Sequence, residues 1–535
     1  YQEKLEELLL NYETEWEKKN IKDKGRTARN LGGFIPEEHL SLQGRKRFEE
    51  LKRKFPKFKK PELKRIYGGF VAPPIPPDSI SKMTDEDWLR AMHKYNDNYD
   101  SLSGDLLKGG VYELSGVMIK EVEKDPERFY HLVSKFDEGI SYHYLRAILI
   151  GLGNVENTGE YIYDLARRYS NHQELEIRSV LYSAINQKIT HTIPDDIMTI
   201  LWNYAINNAQ EELPWQETNK EIYKYSDYHT TIRGRAINAY CRSALLRTPP
   251  DVETVFDLVN HIKNDPSIPV LVCVIEILQY LIQYNISRSI DVFEEIIKKH
   301  PELLDFYVTH YFLYYSLKEF KRIRPYIELL LESEDSVNQE AGARLCCIAL
   351  FKNPEARTLV EKVMSGTVSM KVGAVKVFSH NMEFDDFREI CKTYLMNYFF
   401  QSSEKQVLEE IGNCFRHLKS KPVKNLKDFI YAFLESPALH ENYSPLVEYM
   451  QDRAKTDEDV ALDVVECVIN KVGDGLYNMQ SSNYISGEDI VKILLVMYTH
   501  ALNNEIKLRA MNLLDRLLES GSIDDRRALK EHDRQ

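Results

Sequence analysis

The residues that could carry chemistry are seven cysteines, fifteen histidines and a few adjacent carboxylates, and spacing decides what each can do. Cys241, Cys273, Cys346, Cys347, Cys391, Cys414 and Cys467 are odd in number and never form a CxxC pair. Most fall within apolar helical patterns, so they are expected to be reduced core residues of a cytosolic protein, not a disulfide framework or zinc site. A thiol in a buried stripe, as predicted for Cys346 and Cys347, lacks the accessible, electropositive setting that lowers its pKa. The histidines are scattered, with no HExxH, and no GxSxG nucleophile turn is present. The pairs Asp195-Asp196 and Asp385-Asp386 stand where helices are predicted to start, where carboxylates complement the helix dipole.

Phosphate-binding patterns fare no better. There is no GxxxxGK[ST] loop. "GLGNVE" (151–156) has two of the three dinucleotide-binding glycines but follows a helical pattern, which predicts a helix C-terminus. "KGG" (108–110) predicts a turn or helix start. No catalytic, cofactor-binding or metal-binding residue is therefore expected within these residues.

Two sets of residues could instead carry recognition. Residues 45–65 hold 11 Lys or Arg and 3 Glu, a net of +8 that leaves −21 for the rest of a chain whose total is −13. With Phe48, Phe55 and Phe58 interleaved, Lys52, Arg53, Lys57 and Lys60 are candidate polyanion-binding residues, combining phosphate neutralisation with base stacking. A solvated helix face is the plainer alternative, and a pI near 5.7 argues against nucleic acid as the main partner. Tyrosine is abundant, 33 against 21 Phe. Trp215, Tyr223, Tyr225, Tyr228, Tyr477 and Tyr484 cluster in two polar stretches and are candidate partner-binding residues, since Tyr and Trp dominate interface hot spots. The alternative is that such tyrosines fill half-buried positions between helices.

The elements that must position these residues repeat. From Ile177, the residues at +4, +7 and +8 are Leu181, Ala184 and Ile185, one stripe of a helix. The template recurs at Ile140, Ile232, Val270, Leu304, Val337, Met370, Val407, Val460 and Ile506, with Arg344, at +7 from Val337, its single polar breach. Small residues at +4 (Ala236, Ala341, Ala374, Ala510) would let a neighbouring helix approach closely. In chain order the anchors lie 37, 55, 38, 34, 33, 33, 37, 53 and 46 residues apart. Most of these gaps equal one antiparallel helix pair, the unit of HEAT, armadillo or tetratricopeptide arrays. The expected fold is all-α: a HEAT/armadillo-like solenoid over 125–535, preceded by a charged helical lead-in (1–66) and a Pro-rich collar with the first helices (67–124).

Three longer gaps predict insertions at 207–231, 435–446 and 473–489, which in repeat arrays form loops and often bind partners. Pro73, Pro74, Pro76 and Pro77 cannot donate backbone hydrogen bonds, so the collar should run extended. After it, Thr84 and Asp87 form a capping-box pattern opening a helix with Trp88, Ala91, Met92 and Tyr95 on one face. "GGFIP" (32–36) echoes "GGFVAP" (68–73).

With 43% apolar and 29% charged residues the chain can bury a sizeable core, and it has no run of about 18 consecutive apolar residues. A soluble, cytoplasmic protein is expected, without a membrane partner. Beginning at Tyr1 without a signal peptide, the chain also looks like part of a longer polypeptide.

Residues 68–95 ("GGFVAPPIPPDSISKMTDEDWLRAMHKY") and 105–132 ("DLLKGGVYELSGVMIKEVEKDPERFYHL") resemble a segment of large bacterial STAND-class ATP-binding proteins, AVAST-like relatives of NLR immune receptors that act in antiphage defence. The ending "LRAMNLLDRLLESGSIDDRRALKEHDRQ" (508–535) is similar to their C-terminus. Together these stretches cover about a sixth of the chain. The resemblance implies a C-terminal helical-repeat sensor that binds a foreign protein, such as a phage protein, and promotes homo-oligomerisation of an upstream NTPase joined to an effector. ATP and Mg would belong to that upstream region, whose nucleotide motif is absent here. The alternatives are a constitutive HEAT-like scaffold and a nucleic-acid-binding repeat protein.

Overall fold

The computed structural model describes residues 10, 15–19, 22, 24–32, 40–56, 71–99, 108–189, 193–207, 231–418, 421–473 and 486–519. The chain divides into two units, Tyr1–Ala72 with Ser101–Gly109, and Pro73–Asp100 with Gly110–Gln535. The division falls inside the collar, so its prolines belong to the second unit.

In the first unit, helices Arg26–Gly32 and Leu42–Lys54, with Leu40 just before the second, supply a small core of Ala28, Leu40, Phe48 and Leu51, with Phe55 half-buried against it. Ser41 caps the second helix, its hydroxyl accepting from the Gly44 amide at 3.2 Å. Buried Glu17 accepts from the Thr27 amide at 2.6 Å. Ala72 and Lys108 form an isolated parallel bridge.

The second unit begins with the collar. It is non-helical as far as Pro76, but Pro77 opens a short helix, Pro77–Ile80, because its fixed φ suits a first helical position whose amide has no partner anyway. The Thr84–Asp87 capping box forms as expected: the Thr84 hydroxyl accepts from the Asp87 amide at 3.2 Å, and the Asp87 carboxylate accepts from the Thr84 amide at 3.0 Å. Trp88, Ala91 and Met92 on helix Asp85–Lys94 are buried, as is Tyr95 just past its end. Thr84→Ala should raise amide exchange across this helix roughly fivefold by removing the cap, measurable by hydrogen–deuterium exchange.

From there the unit is a HEAT/armadillo-like α-solenoid. One row of helices runs Tyr142–Asn154, Leu175–Lys188, Ile232–Leu245, the 268–284 part of Ile268–Lys299, Tyr307–Tyr315, Ser336–Leu350, Val368–Asn381 and Lys405–Gly412, each packed on the next. It continues through Ser444–Gln451 and Ser486–His500. A second row includes Gly159–Tyr169, Val252–Ile262, Phe320–Glu332, Glu458–Val472 and Asn504–Glu519. A continuous apolar core runs between them from Ile80 to Leu517, and no strand occurs among the described residues.

Helix Ile268–Lys299 is long enough to cross a membrane and contains an 18-residue window with a mean hydropathy of 1.5. Asn285, at φ −153°, ψ 86°, breaks it into two. The part before the break rises only about 25 Å, short of the ~30 Å hydrocarbon span, and its Val270–Leu278 run is buried in the core.

The stretch 435–446 is not an inserted loop. It supplies helix Ala438–Glu441 and the start of Ser444–Gln451, with Ala438, Leu439, Tyr443 and Leu446 buried. Pro437 and Pro445 divide this member of the first row into pieces too short to show a stripe nine residues long. The template therefore skipped to Val460 and Ile506, which lie in the second row. Gly412 packs on this segment: a Cβ there would stand 2.1 Å from the Asn442 carbonyl oxygen. The Asn442 amide group in turn donates to the Glu409 carbonyl (2.7 Å) and to Asn413 Oδ1 (3.1 Å).

A buried ion pair crosses the rows where residues 208–230 intervene. Arg233 is fully buried and donates to the Ala205 carbonyl from Nε (3.1 Å) and Nη2 (2.8 Å), and to both Asp265 oxygens at 3.2 and 2.5 Å. Asp265 also accepts from the Ser267 amide at 2.9 Å. One guanidinium thus joins the end of Asp195–Asn207, the start of Ile232–Leu245 and the turn before Ile268–Lys299.

Candidate functional site

The cysteines lie where the sequence placed them, six buried and Cys467 half-buried. Burial pushes the thiols of Cys241, Cys347, Cys391 and Cys414 up, that of Cys391 to about 12, opposite to what a nucleophile needs. Asp195-Asp196 and Asp385-Asp386 open helices, Gly151 and Gly153 sit in the last turn of Tyr142–Asn154, and Gly110 caps the helix Val111–Lys124. Among the described residues no three of His, Cys, Asp or Glu gather as a metal ion would require.

Of the predicted binding residues, Trp215, Tyr223, Tyr225, Tyr228, Tyr477, Tyr484, Lys57 and Lys60 lie outside the described residues. Lys52 and Arg53 lie on helix Leu42–Lys54. The Lys52 ammonium is 2.7 Å from Glu49 and sits over the Phe48 ring at 4.6 Å, while Arg53 is exposed. Phe48 is in the small core, so it cannot stack on a base.

The surface that stands out is on the first row of the solenoid. In the short helix Tyr307–Tyr315 ("YVTHYFLYY"), Val308, Phe312 and Leu313 face the core. The Thr309 hydroxyl donates to the Leu303 carbonyl at 2.6 Å, and His310 Nε2 lies 2.9 Å from the Leu304 carbonyl, which fixes the preceding 3₁₀ turn, Pro301–Asp305, against the helix. With that side committed, Tyr307, Tyr311 and Tyr314, spaced by four and three residues, form an opposite stripe 37%, 58% and 44% exposed.

They line one side of a cavity of about 880 Å³. Helix Ser336–Leu350 forms its floor. This helix buries Asn338, Gly342, Leu345, Cys346 and Ala349, leaving Val337, Ala341 and Arg344 toward the groove. The far side is the end of Val368–Asn381 with Phe384 and Phe387. Gly373 permits this closeness, since a Cβ there would lie 2.6 Å from the Glu340 carbonyl oxygen. Phe387 is held by stacking on Phe351 at 4.5 Å, and Phe384 remains 47% exposed.

The groove's charges are unequal in availability. Lys376 pairs with Glu340 at 2.7 Å. Arg344 is exposed and makes no ion pair or hydrogen bond among the described residues. Near the rim, His380 meets His417 edge-on at 4.9 Å, and burial, followed by His380, holds the His417 pKa below its ordinary value. The groove offers ring faces, phenolic hydroxyls and the Arg344 guanidinium, which is the composition of a binding hot spot.

None of these residues was singled out for binding from sequence, yet two had left a trace. Tyr311 and Arg344 both occupy +7 positions of the repeat template, where a core residue was expected. At Leu304 the anchor sits in the 3₁₀ turn, so the helical count slips and Tyr311 turns outward. At Val337 the buried stripe runs one residue out of register with the template, and Arg344 faces solvent instead of breaching the core.

No protein-family model matches this chain, and no curated protein matches its sequence. Among solved structures it is similar to a chain of a homology model of the full-length AP-3 complex in an intermediate open conformation. That likeness spans 99% of this chain and 92% of the other at 11% identity, with a TM-score of 0.44.

Proposed function

We propose that this chain is a non-catalytic, ligand-recognising region of a larger bacterial antiphage protein of the STAND type, cytoplasmic in location, and that the groove beside Tyr311 and Arg344 is where it takes hold of a foreign protein. The observation that carries the binding role is the exposed tyrosine stripe facing an available arginine across a cavity large enough for several side chains. The resemblance of residues 68–95, 105–132 and 508–535 to STAND-class proteins supports the antiphage setting. Occupation of the groove would favour homo-oligomerisation of an upstream NTPase, which would supply the ATP and Mg chemistry.

The test is phage challenge of bacteria carrying the full-length gene. Replacing Tyr311 and Tyr314 together by alanine is expected to lower protection at least a hundredfold in plaque counts, since each hot-spot ring contributes about 2 kcal/mol. Protein abundance should not change, because both side chains are exposed. Undiminished protection by an equally abundant double variant would refute the role of the groove. Capture of the same partners from uninfected and infected cells would point to a constitutive scaffold instead.

A further inference from the structure

From its charge and shape we infer that the groove selects an acidic peptide segment, seating a side-chain carboxylate on Arg344 between apolar side chains that lie on Tyr311, Tyr314 and Phe384. This rests on the groove being the recognition surface proposed above.

Three observations identify the occupant. First, Glu340 is already paired with Lys376 at 2.7 Å, whereas Arg344 makes no ion pair or hydrogen bond among the described residues, so its charge is uncommitted in the groove. A guanidinium with free N–H groups and a ring-lined surround favours a carboxylate, which it can grip with two parallel hydrogen bonds. Second, the flanking surface is aromatic and aliphatic, with Ala341 and Ile348 on the floor, so residues beside the carboxylate must be apolar to cover it. Third, a nucleic-acid strand would need a run of cations along its phosphates, whereas the described residues of the groove set Arg344 beside a Lys376 already paired with Glu340.

The probes are an array of short random peptides blocked at both ends and a fluorescent oligothymidylate, each offered to the full chain and to its variants. The wild-type protein is expected to select peptides enriched in Asp or Glu next to Leu, Ile, Phe or Tyr. Arg344→Gln should erase the acidic preference and weaken the best acidic peptide roughly 10- to 100-fold, leaving the apolar preference in place, whereas Arg344→Lys should recover part of the affinity. If selected peptides carry no acidic bias and ignore Arg344→Gln but are lost in Tyr311→Ala, the groove binds protein and the carboxylate assignment is wrong. Selected peptides that ignore both substitutions, or no selected peptide at all, would overturn the groove and the assignment together. Oligothymidylate binding that depends on Arg344 would replace the peptide with a nucleic-acid ligand. Thermal melts of the variants should match the wild type, because Arg344 and Tyr311 are exposed.

Discussion

Arg233→Ala is expected to destabilise the solenoid locally by roughly 3–5 kcal/mol, because it leaves the Asp265 carboxylate buried without its counter-charge. The residue is fully buried and Asp265 nearly so, and the Ala205 carbonyl loses two donors in the same step. Each helix pair in such an array leans only on its neighbours. The damage should therefore appear as fast amide exchange in Asp195–Asn207, Ile232–Leu245 and Val252–Ile262, while Tyr142–Asn154 and Val368–Asn381 keep their protection. Removing both charges in Arg233→Met with Asp265→Leu should recover much of the loss, since an apolar pair of similar volume leaves no buried ion behind. Equal urea midpoints for the wild type and Arg233→Ala would show that the pair contributes nothing.

Gly412→Ala is the second large effect, with an expected cost of roughly 2 kcal/mol from overpacking. Two terms oppose each other. Alanine is the better helix former by about 1 kcal/mol. Against this, the added carbon would sit 2.1 Å from the Asn442 carbonyl oxygen and must displace backbone, not a flexible side chain. That displacement pulls Asn442 away from the two hydrogen bonds that hold it to Glu409 and Asn413, so the clash wins. Gly116 supplies the opposite sign: it lies in the helix Val111–Lys124 with open space where a Cβ would go, and Gly116→Ala should raise stability by up to ~1 kcal/mol. A calorimetric melt lowered by the first substitution and raised by the second is the expected pattern, and two shifts of the same sign would contradict it.

The architecture was readable because burial leaves a periodic imprint. Ile177, Leu181, Ala184 and Ile185 all lie in the core, as do Val270, Val274, Ile277 and Leu278, and the spacing of such stripes marks out the helix pairs. The imprint fades where helices are short. Ser444–Gln451 has only eight residues after a proline-broken start, so its apolar positions looked like an insertion. The capping box at Thr84 was legible because its geometry is local, involving residues three apart. The Arg233–Asp265 pair was not, because its partners are 32 residues apart in sequence and nothing local marks either as buried.

The groove was hidden for a related reason. Its lining residues come from successive elements far apart in sequence, and a tyrosine that faces solvent differs from one that fills a gap only by about 100° of rotation about its helix. Tyrosine density points instead to residues 207–231 and 473–489, where Trp215, Tyr223, Tyr225, Tyr228, Tyr477 and Tyr484 lie outside the described residues. The better clue lay in the departures from the repeat, since Tyr311 and Arg344 occupied positions that a purely structural stripe would fill with small or aliphatic residues.

Because Tyr307–Tyr315, Ser336–Leu350 and Val368–Asn381 each contribute one wall of the same trough, whatever settles there would act as a splint across three modules that otherwise flex pairwise. Holding those three in fixed alignment would convert an event at one place into a change of stiffness along the stack, with no helix having to melt or refold.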